Sequence, residues 1–216
     1  MSQRLQDLKW PAVIALTVTI TALAVSAIVV KSERLASPER PATQEKLATP
    51  AIPAPPILAQ ILLAPKMSDG DAALDTPFFD AREEPLSLSA LTKNAPRGQG
   101  LVLNLWATWC APCVREMPAL DRLAAKLKDR GVRVVALSQD RRALDVVPPF
   151  YADTGIENLD LYYDVKSRLS RALGVGGLPT TVLIDAGGRE IGRVKGAVEW
   201  DDDAIVDYVA KILAAP

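Results

Sequence analysis

Apolar positions along the chain fall into three regimes. Residues 11–30, PAVIALTVTITALAVSAIVV, form a run broken only by Thr17, Thr19, Thr21 and Ser26. About 20 apolar residues suffice to cross a hydrocarbon core as a helix, and hydroxyl side chains do not spoil it because they bond back to the preceding turn. The following stretch carries Pro38, Pro41, Pro50, Pro53, Pro55, Pro56 and Pro65 among Ala, Glu, Lys and Thr, the composition of an extended spacer. An apolar patch at 57–63 within it either packs onto a domain or lies at a membrane surface. Beyond Met67 the pattern turns globular. The organisation predicted is a short cytoplasmic N-terminus (1–10), a transmembrane signal anchor (11–30), a Pro-rich linker (31–66) and a globular domain (67–216).

Within that domain, residues 101–106 are a continuous apolar run of strand length, as in a central strand covered on both faces. After Ala107-Thr108-Trp109 and Cys110-Ala111-Pro112-Cys113, the residues Leu120, Leu123, Ala124 and Leu127 recur at helical spacing, with Gly131 as a left-handed cap. Strands are predicted over 132–137 and 159–163, and a helix capped by Asp164 runs to Leu173. The segments 181–184 and 191–194 straddle the turn Asp185-Ala186-Gly187-Gly188 as a hairpin. Asp201 to Asp203 place negative charge at the start of a closing helix that ends near Leu213. This alternation predicts an α/β fold with a mixed central sheet flanked by helices, preceded by the transmembrane helix.

Composition then removes whole classes of chemistry. The net charge of −1 comes with no basic stripe, so nucleic acid is not an expected partner. The chain has no histidine and only two cysteines, Cys110 and Cys113. A zinc site would have to be completed with carboxylates alone, and a Cys–His protease has no base, so no metal and no cofactor are expected. The run at 11–30 could be a cleaved signal peptide with Val25-Ser26-Ala27 as its cleavage site, but it exceeds the usual apolar core of about 7–15 residues. Lys31, Arg34, Arg40 and Lys46 outnumber Arg4 and Lys9, against the positive-inside rule, although long domains translocate regardless of flanking charge.

The cysteine pair is where the chemistry lies. Cys110 falls where a strand ends and a helix begins, at amides without intrahelical partners and at the positive end of the helix dipole. A thiolate is favoured there, which brings a thiol down from its ordinary value of about 8.5. Cys113, one turn along, can attack a mixed disulfide formed at Cys110, and Pro112 fits the first turn because its missing N–H costs nothing. The reading is an exposed nucleophile, Cys110, and a shielded resolving thiol, Cys113.

Trp106-Ala107-Thr108-Trp109-Cys110-Ala111-Pro112-Cys113 with Glu116-Met117-Pro118, and the separate motif Gly177-Leu178-Pro179-Thr180-Thr181, together resemble the TlpA/ResA/CcmG branch of the thioredoxin superfamily. Gly196-Ala197-Val198-Glu199-Trp200 and the insertion at 141–155 look most like TlpA. The resemblance implies a thioredoxin-like fold and a thiol:disulfide oxidoreductase with a redox-active Cys110–Cys113 disulfide. It implies a cis bond before Pro179, and a substrate-binding surface of Trp109, Ala111, Pro112, Leu178 and Pro179. It makes Pro118 the helix-kinking proline, where an ordinary helix boundary is the other reading. It makes Glu116 a catalytic carboxylate tuning the cysteines; otherwise Glu116 is a solvated surface group. Where thioredoxin has a buried aspartate, this chain has Asn104, which cannot titrate, so the proton acceptor shifts to Glu116 or water.

By the same resemblance the domain faces the periplasm from the inner membrane, is kept reduced by a membrane thiol electron donor, and reduces disulfides of partner proteins. The TlpA-like partners are a Sco-type copper chaperone and the copper-bearing oxidase subunit, and the CcmG/ResA-like partner is apocytochrome c. Ala111-Pro112 offers no cation to stabilise a reduced pair, which argues for a reductase over an oxidant. A peroxidase would need a more distant resolving cysteine. A non-catalytic thioredoxin-like binding module would usually have lost one of the two thiols.

Overall fold

The apolar run at 101–106 becomes the middle of a sheet, as a strand buried on both faces must. A computed structural model describes residues 54–56, 62–63, 72–93 and 100–213. Its strands in chain order are β1 (Leu62–Leu63), β2 (Phe78–Asp80), β3 (Pro85–Leu86), β4 (Gly100–Trp106), β5 (Val132–Ser138), β6 (Tyr162–Tyr163), β7 (Thr180–Ile184) and β8 (Glu190–Lys195). The helices are α1 (Leu88–Lys93), α2 (Ala111–Leu127), α3 (Ala143–Thr154), α4 (Arg168–Ala172) and α5 (Asp203–Leu213). The strands form one sheet in the order β1-β8-β7-β4-β5-β6-β2-β3, with β4, β5 and β6 parallel and the remaining pairs antiparallel. This is the mixed α/β sheet of the thioredoxin-like fold.

The two-residue period of β4 assigns the layers. Val102 and Trp106 point to the face covered by α2, α3 and α5, while Leu101, Leu103 and Leu105 meet Phe78, Leu88 of α1 and Leu169 of α4 on the other. Asn104 shares the α2 face, and this single polar interruption of the run is buried completely. At Gly100 any β-carbon would lie 2.2 Å from the carbonyl oxygen of Leu213, so glycine there lets the end of α5 close on the strand. On the outside of that face Arg122, Lys126 and Arg130 pair with Asp201, Asp203 and Asp207 at 2.7, 2.7 and 3.0 Å, a ladder that ties α2 to α5. Such exposed pairs contribute little each, at most about 1 kcal/mol, and set orientation more than stability.

One ion pair is different. Arg193 and Glu190 of β8 are almost wholly buried and bidentate, Nε–Oε1 at 2.6 Å and Nη2–Oε2 at 2.7 Å, with Arg193 Nη1 donating to the carbonyl of Leu173 at 2.9 Å. Residues three apart on a strand normally face opposite ways. Here Leu183 pairs with Gly192 and Ile184 with Glu190, so the register skips Ile191 and the two side chains reach the same face.

Several sequence expectations change. Helix α2 ends at Leu127 with Lys128 as its C-cap in right-handed geometry, so Gly131 is not the cap; its φ of 72° turns the chain into β5. The strand expected over 159–163 shrinks to Tyr162–Tyr163, the two residues that pair with β5 and β2; just ahead of this stretch the amides of Glu157 and Asn158 are taken by Asp121 of α2 (3.1 and 2.6 Å). The helix expected over 164–173 is a 3₁₀ turn (Val165–Ser167) followed by α4, broken where Lys166 and Ser167 adopt positive φ. Asp164 still caps it, its carboxylate accepting the amides of Arg168, Leu169 and Ser170. Leu62–Leu63, inside the stretch read as linker, pairs with Val194 and Arg193 of β8, so the sheet takes in backbone ahead of Met67. Pro118 lies inside α2 rather than at a boundary. The segments 1–10 and 11–30 lie outside the described residues, among which no helix is long and apolar enough to cross a membrane.

Candidate active site

The loop between β4 and α2 is fixed before any sulfur is considered. Thr108 donates its amide to Asp140 Oδ2 at 2.9 Å and its hydroxyl to Oδ1 at 2.8 Å, and Ser138 donates to Oδ2 at 2.9 Å. Asp140 thus anchors the loop to the end of β5. Trp106 is buried against Phe150 and Tyr151 of α3, with ring centroids 5.2 and 6.0 Å away. The insertion carrying α3 therefore supports the strand end from which the loop departs.

Cys110 is the N-cap of α2, in extended geometry (φ −93°, ψ 96°), and its Sγ accepts the Cys113 amide at 3.4 Å. Pro112 occupies the first turn. The two sulfurs are joined, with Cα atoms 5.2 Å apart. Cys113 is wholly buried; Cys110, expected to be exposed, is only 6% exposed. The cause is the cap itself, which turns the sulfur back onto the first turn of the helix. Access is thus a narrow rim at Cys110, beside Trp109, which is 70% exposed. Ala111 is exposed and Pro112 half-buried. The Leu178–Pro179 bond is cis, and Pro179 precedes β7 where Thr180 pairs with Leu105 of β4. Leu178 is half-buried between the two halves of the core.

Glu116, one turn beyond Cys113, is buried rather than solvated. Its Oε1 accepts Asn104 Nδ2 at 2.8 Å, and its Oε2 accepts the Val198 amide at 3.1 Å and Trp200 Nε1 at 3.3 Å. Asn104 Nδ2 also donates to Thr181 Oγ1 at 2.9 Å, leaving its own Oδ1 buried and unpartnered. Asn104 therefore bonds to Glu116 and not to a cysteine, and Glu116 makes no hydrogen bond to either sulfur. Burial raises the carboxyl above its ordinary value and outweighs the three donors, which favour the anion. Of these partners Asn104 had a sequence signal, a polar residue on the α2 face of an apolar strand. Val198 and Trp200 lie in the stretch 196–200 that carries part of the resemblance, but nothing in the sequence tied them to Glu116, because they come from the loop before α5.

The raised value has a stability consequence. Glu116 favours the folded state most below the ordinary carboxyl value of 4.5, and that contribution is lost as pH rises through the raised folded value. We expect the denaturant midpoint of the oxidised chain to decline as pH rises from the ordinary carboxyl value through the raised folded one, and Glu116→Gln to flatten that decline even if it lowers the midpoint at every pH. An unchanged slope in the variant would remove Glu116 as the cause.

A mixed sheet whose central strand leads through a tight loop into a capping cysteine, with a buried second sulfur one turn on, defines the thioredoxin-like class of thiol–disulfide exchange proteins. Comparison with known proteins agrees. The AhpC/TSA family profile matches residues 70–189. Thiol-disulfide oxidoreductase ResA of Bacillus thuringiensis subsp. konkukian is 34% identical over 124 residues, 54% of this chain and 65% of the relative; the chain thus spans just under two thirds of that relative's length. ResA of Bacillus thuringiensis strain Al Hakam is 32% identical over 147 residues, 68% of this chain and 80% of that one. A crystal structure described as a thiol:disulfide interchange protein DsbE from Chlorobium tepidum superposes with a TM-score of 0.57 at 30% identity, covering 69% of this chain and all of that one. The chain belongs to the AhpC/TSA family and, within the thioredoxin superfamily, to the TlpA/ResA/CcmG branch of thiol:disulfide oxidoreductases.

Proposed function

We propose that the chain is a membrane-tethered reductase of protein disulfides, with its domain in the periplasm and its tether at 11–30. The observation that carries the chemistry is the sulfur pair itself: Cys110 caps α2 at the rim and Cys113 is wholly buried behind it. In the reduced chain the free amides at the start of α2 favour a thiolate at Cys110. That thiolate attacks one sulfur of the partner's disulfide and displaces the other as a thiolate, giving a mixed disulfide. Cys113, giving up its proton, attacks Cys110 Sγ, closes the Cys110–Cys113 disulfide and releases the partner as a dithiol. Two electrons pass to the partner, and a membrane thiol donor restores them. Glu116, buried on the same helix with a raised carboxyl value, is the protein's own candidate to receive the Cys113 proton, through water since no direct bond links them. Trp109, Ala111, Pro112 and Leu178 form the docking surface, with the buried Pro179 fixing the backbone beneath it.

The TlpA-like features of the sequence favour a Sco-type copper chaperone and the copper-bearing oxidase subunit as partners, since thiolate and not disulfide ligates copper. The resemblance of the cysteine motif to the CcmG/ResA branch carries a second reading, apocytochrome c. Cys113→Ser, expressed in the native host, is expected to hold partners as mixed disulfides on Cys110. Copper-delivery proteins among the adducts support the first reading and apocytochrome c the second; an absence of adducts counts against catalysis altogether.

A further inference from the structure

Beside the redox pair the surface opens into a groove of about 760 Å³. It is lined by Trp109, by Gln139, Asp140 and Arg141 just past the end of β5, and by Lys166 and Arg171. It therefore lies off the carboxyl ends of the parallel strands β4 and β5, where ligands of open α/β sheets bind. It is also continuous with the rim at Cys110, because Trp109 belongs to both.

Charge in this groove is predominantly positive, three cations against one carboxylate. Arg141 and Lys166 are exposed, and among the described residues neither they nor Arg171 forms an ion pair. Arg171 donates to the carbonyl oxygen of Lys166 and keeps its charge. The carboxylate in the lining, Asp140, is buried, and both its oxygens are taken by Thr108 and Ser138. Nearby acids are similarly engaged: Asp164 holds the amides of Arg168, Leu169 and Ser170, and Asp145 pairs with Arg142 at 2.8 Å. Among the described residues none of the three cations has an ion-pair partner, and with the Asp140 carboxylate counted the lining keeps a net charge of about +2.

The Lys166 segment is also built to stay in place. Lys166 and Ser167 sit at φ 63° and 51°, a region side chains other than glycine rarely adopt. Asp164 fastens them, its carbonyl accepting the Ser167 amide at 2.9 Å while its carboxylate holds the start of α4. Unusual backbone of this kind persists only where the surroundings enforce it, and it concentrates at functional sites.

We infer that this groove receives an acidic segment flanking the disulfide of the protein substrate, and so sorts substrates by charge. The inference rests on the reductase reading and adds to it the chemistry of the partner. A free anion would have no reason to sit against a sulfur rim. A polypeptide whose disulfide is under attack at Cys110 must run past Trp109, whose exposed indole offers it an apolar platform. Cations placed there speed the encounter with an acidic chain and hold its register, and salt weakens both effects.

The test uses the full chain, reduced beforehand, and two synthetic peptides with one disulfide each, identical except for three aspartates or three serines on either side of the cysteines. The single-turnover rate constant is read for each peptide; in that turnover the Cys110–Cys113 dithiol becomes a disulfide and the peptide disulfide a dithiol. The acidic peptide is expected to react about tenfold faster than the serine peptide at low salt, as three exposed charge contacts together allow, with the ratio falling toward one at high salt. In the double variant Arg141→Glu, Lys166→Glu the ratio is expected to drop below one. Because the ratio is taken within one protein, a partly unfolded variant does not mimic this result, and the wild-type ratio and its salt dependence stand without any variant. Equal rates for both peptides in the wild-type chain would overturn the groove assignment while leaving the reductase reading intact. If neither peptide is reduced, the reductase reading falls and takes this one with it.

Discussion

Cys110→Ser is expected to reduce disulfide substrates no faster than the uncatalysed background. A serine hydroxyl does not ionise near neutral pH, and Cys113 cannot take over because it is wholly buried behind the first turn of α2. The substitution should spare the fold. Serine is a favoured N-cap, and its oxygen can accept the Cys113 amide that Sγ accepts in the wild-type chain. Activity and thermal midpoint are therefore to be measured on the same sample and compared with the reduced wild-type chain, which like the variant lacks the Cys110–Cys113 bond: loss of the first with retention of the second is the expected pair. Appreciable reduction by this variant would move the attacking group elsewhere.

The largest stability effect should come from the other side of the sheet. Glu190→Ala leaves the guanidinium of Arg193 buried with, among the described residues, the Leu173 carbonyl as its remaining partner. Removing one partner of a buried ion pair costs about 3–5 kcal/mol, since the remaining charge keeps its desolvation cost. For a domain of this size that corresponds to a fall of roughly 10 °C in Tm. Replacing the pair together, Glu190→Leu with Arg193→Met, should recover much of the loss, because packed apolar groups do not need compensation. Thermal unfolding of the single and double variants reads this directly. A single-variant loss below about 1 kcal/mol, the scale of an exposed pair, would show that water reaches the site.

How much of this was legible depended on whether a signal was local. Strand β4 and helix α2 could be read because a continuous apolar run and a helical repeat each span many residues, and the cysteine spacing located the sulfurs between them. The short strands β1, β2 and β3 could not, since two or three residues carry no period. The end of α2 was misplaced because Gly131 signals positive φ but not whether that φ caps a helix or begins a strand. Burial of Cys110 follows from cap geometry, which spacing alone does not express. Glu116 could be placed on the cysteine face of α2, whereas Val198 and Trp200 reach it from more than 80 positions away. Burial of Arg193 and Glu190 depends on a skipped residue in the β7–β8 register, invisible until the strands are paired.

The wiring of Glu116 bears on any attempt to transplant this chemistry. The thirteen residues from Trp106 to Pro118 are not a portable cassette: grafted onto a foreign helix, they would carry the sulfurs and the carboxylate but none of the groups that hold its charge. One of those donors comes from the central strand and two from the segment leading into the last helix. A minimal working version of the site must therefore be excised as nearly the whole domain, through Trp200 and the helix that clamps it.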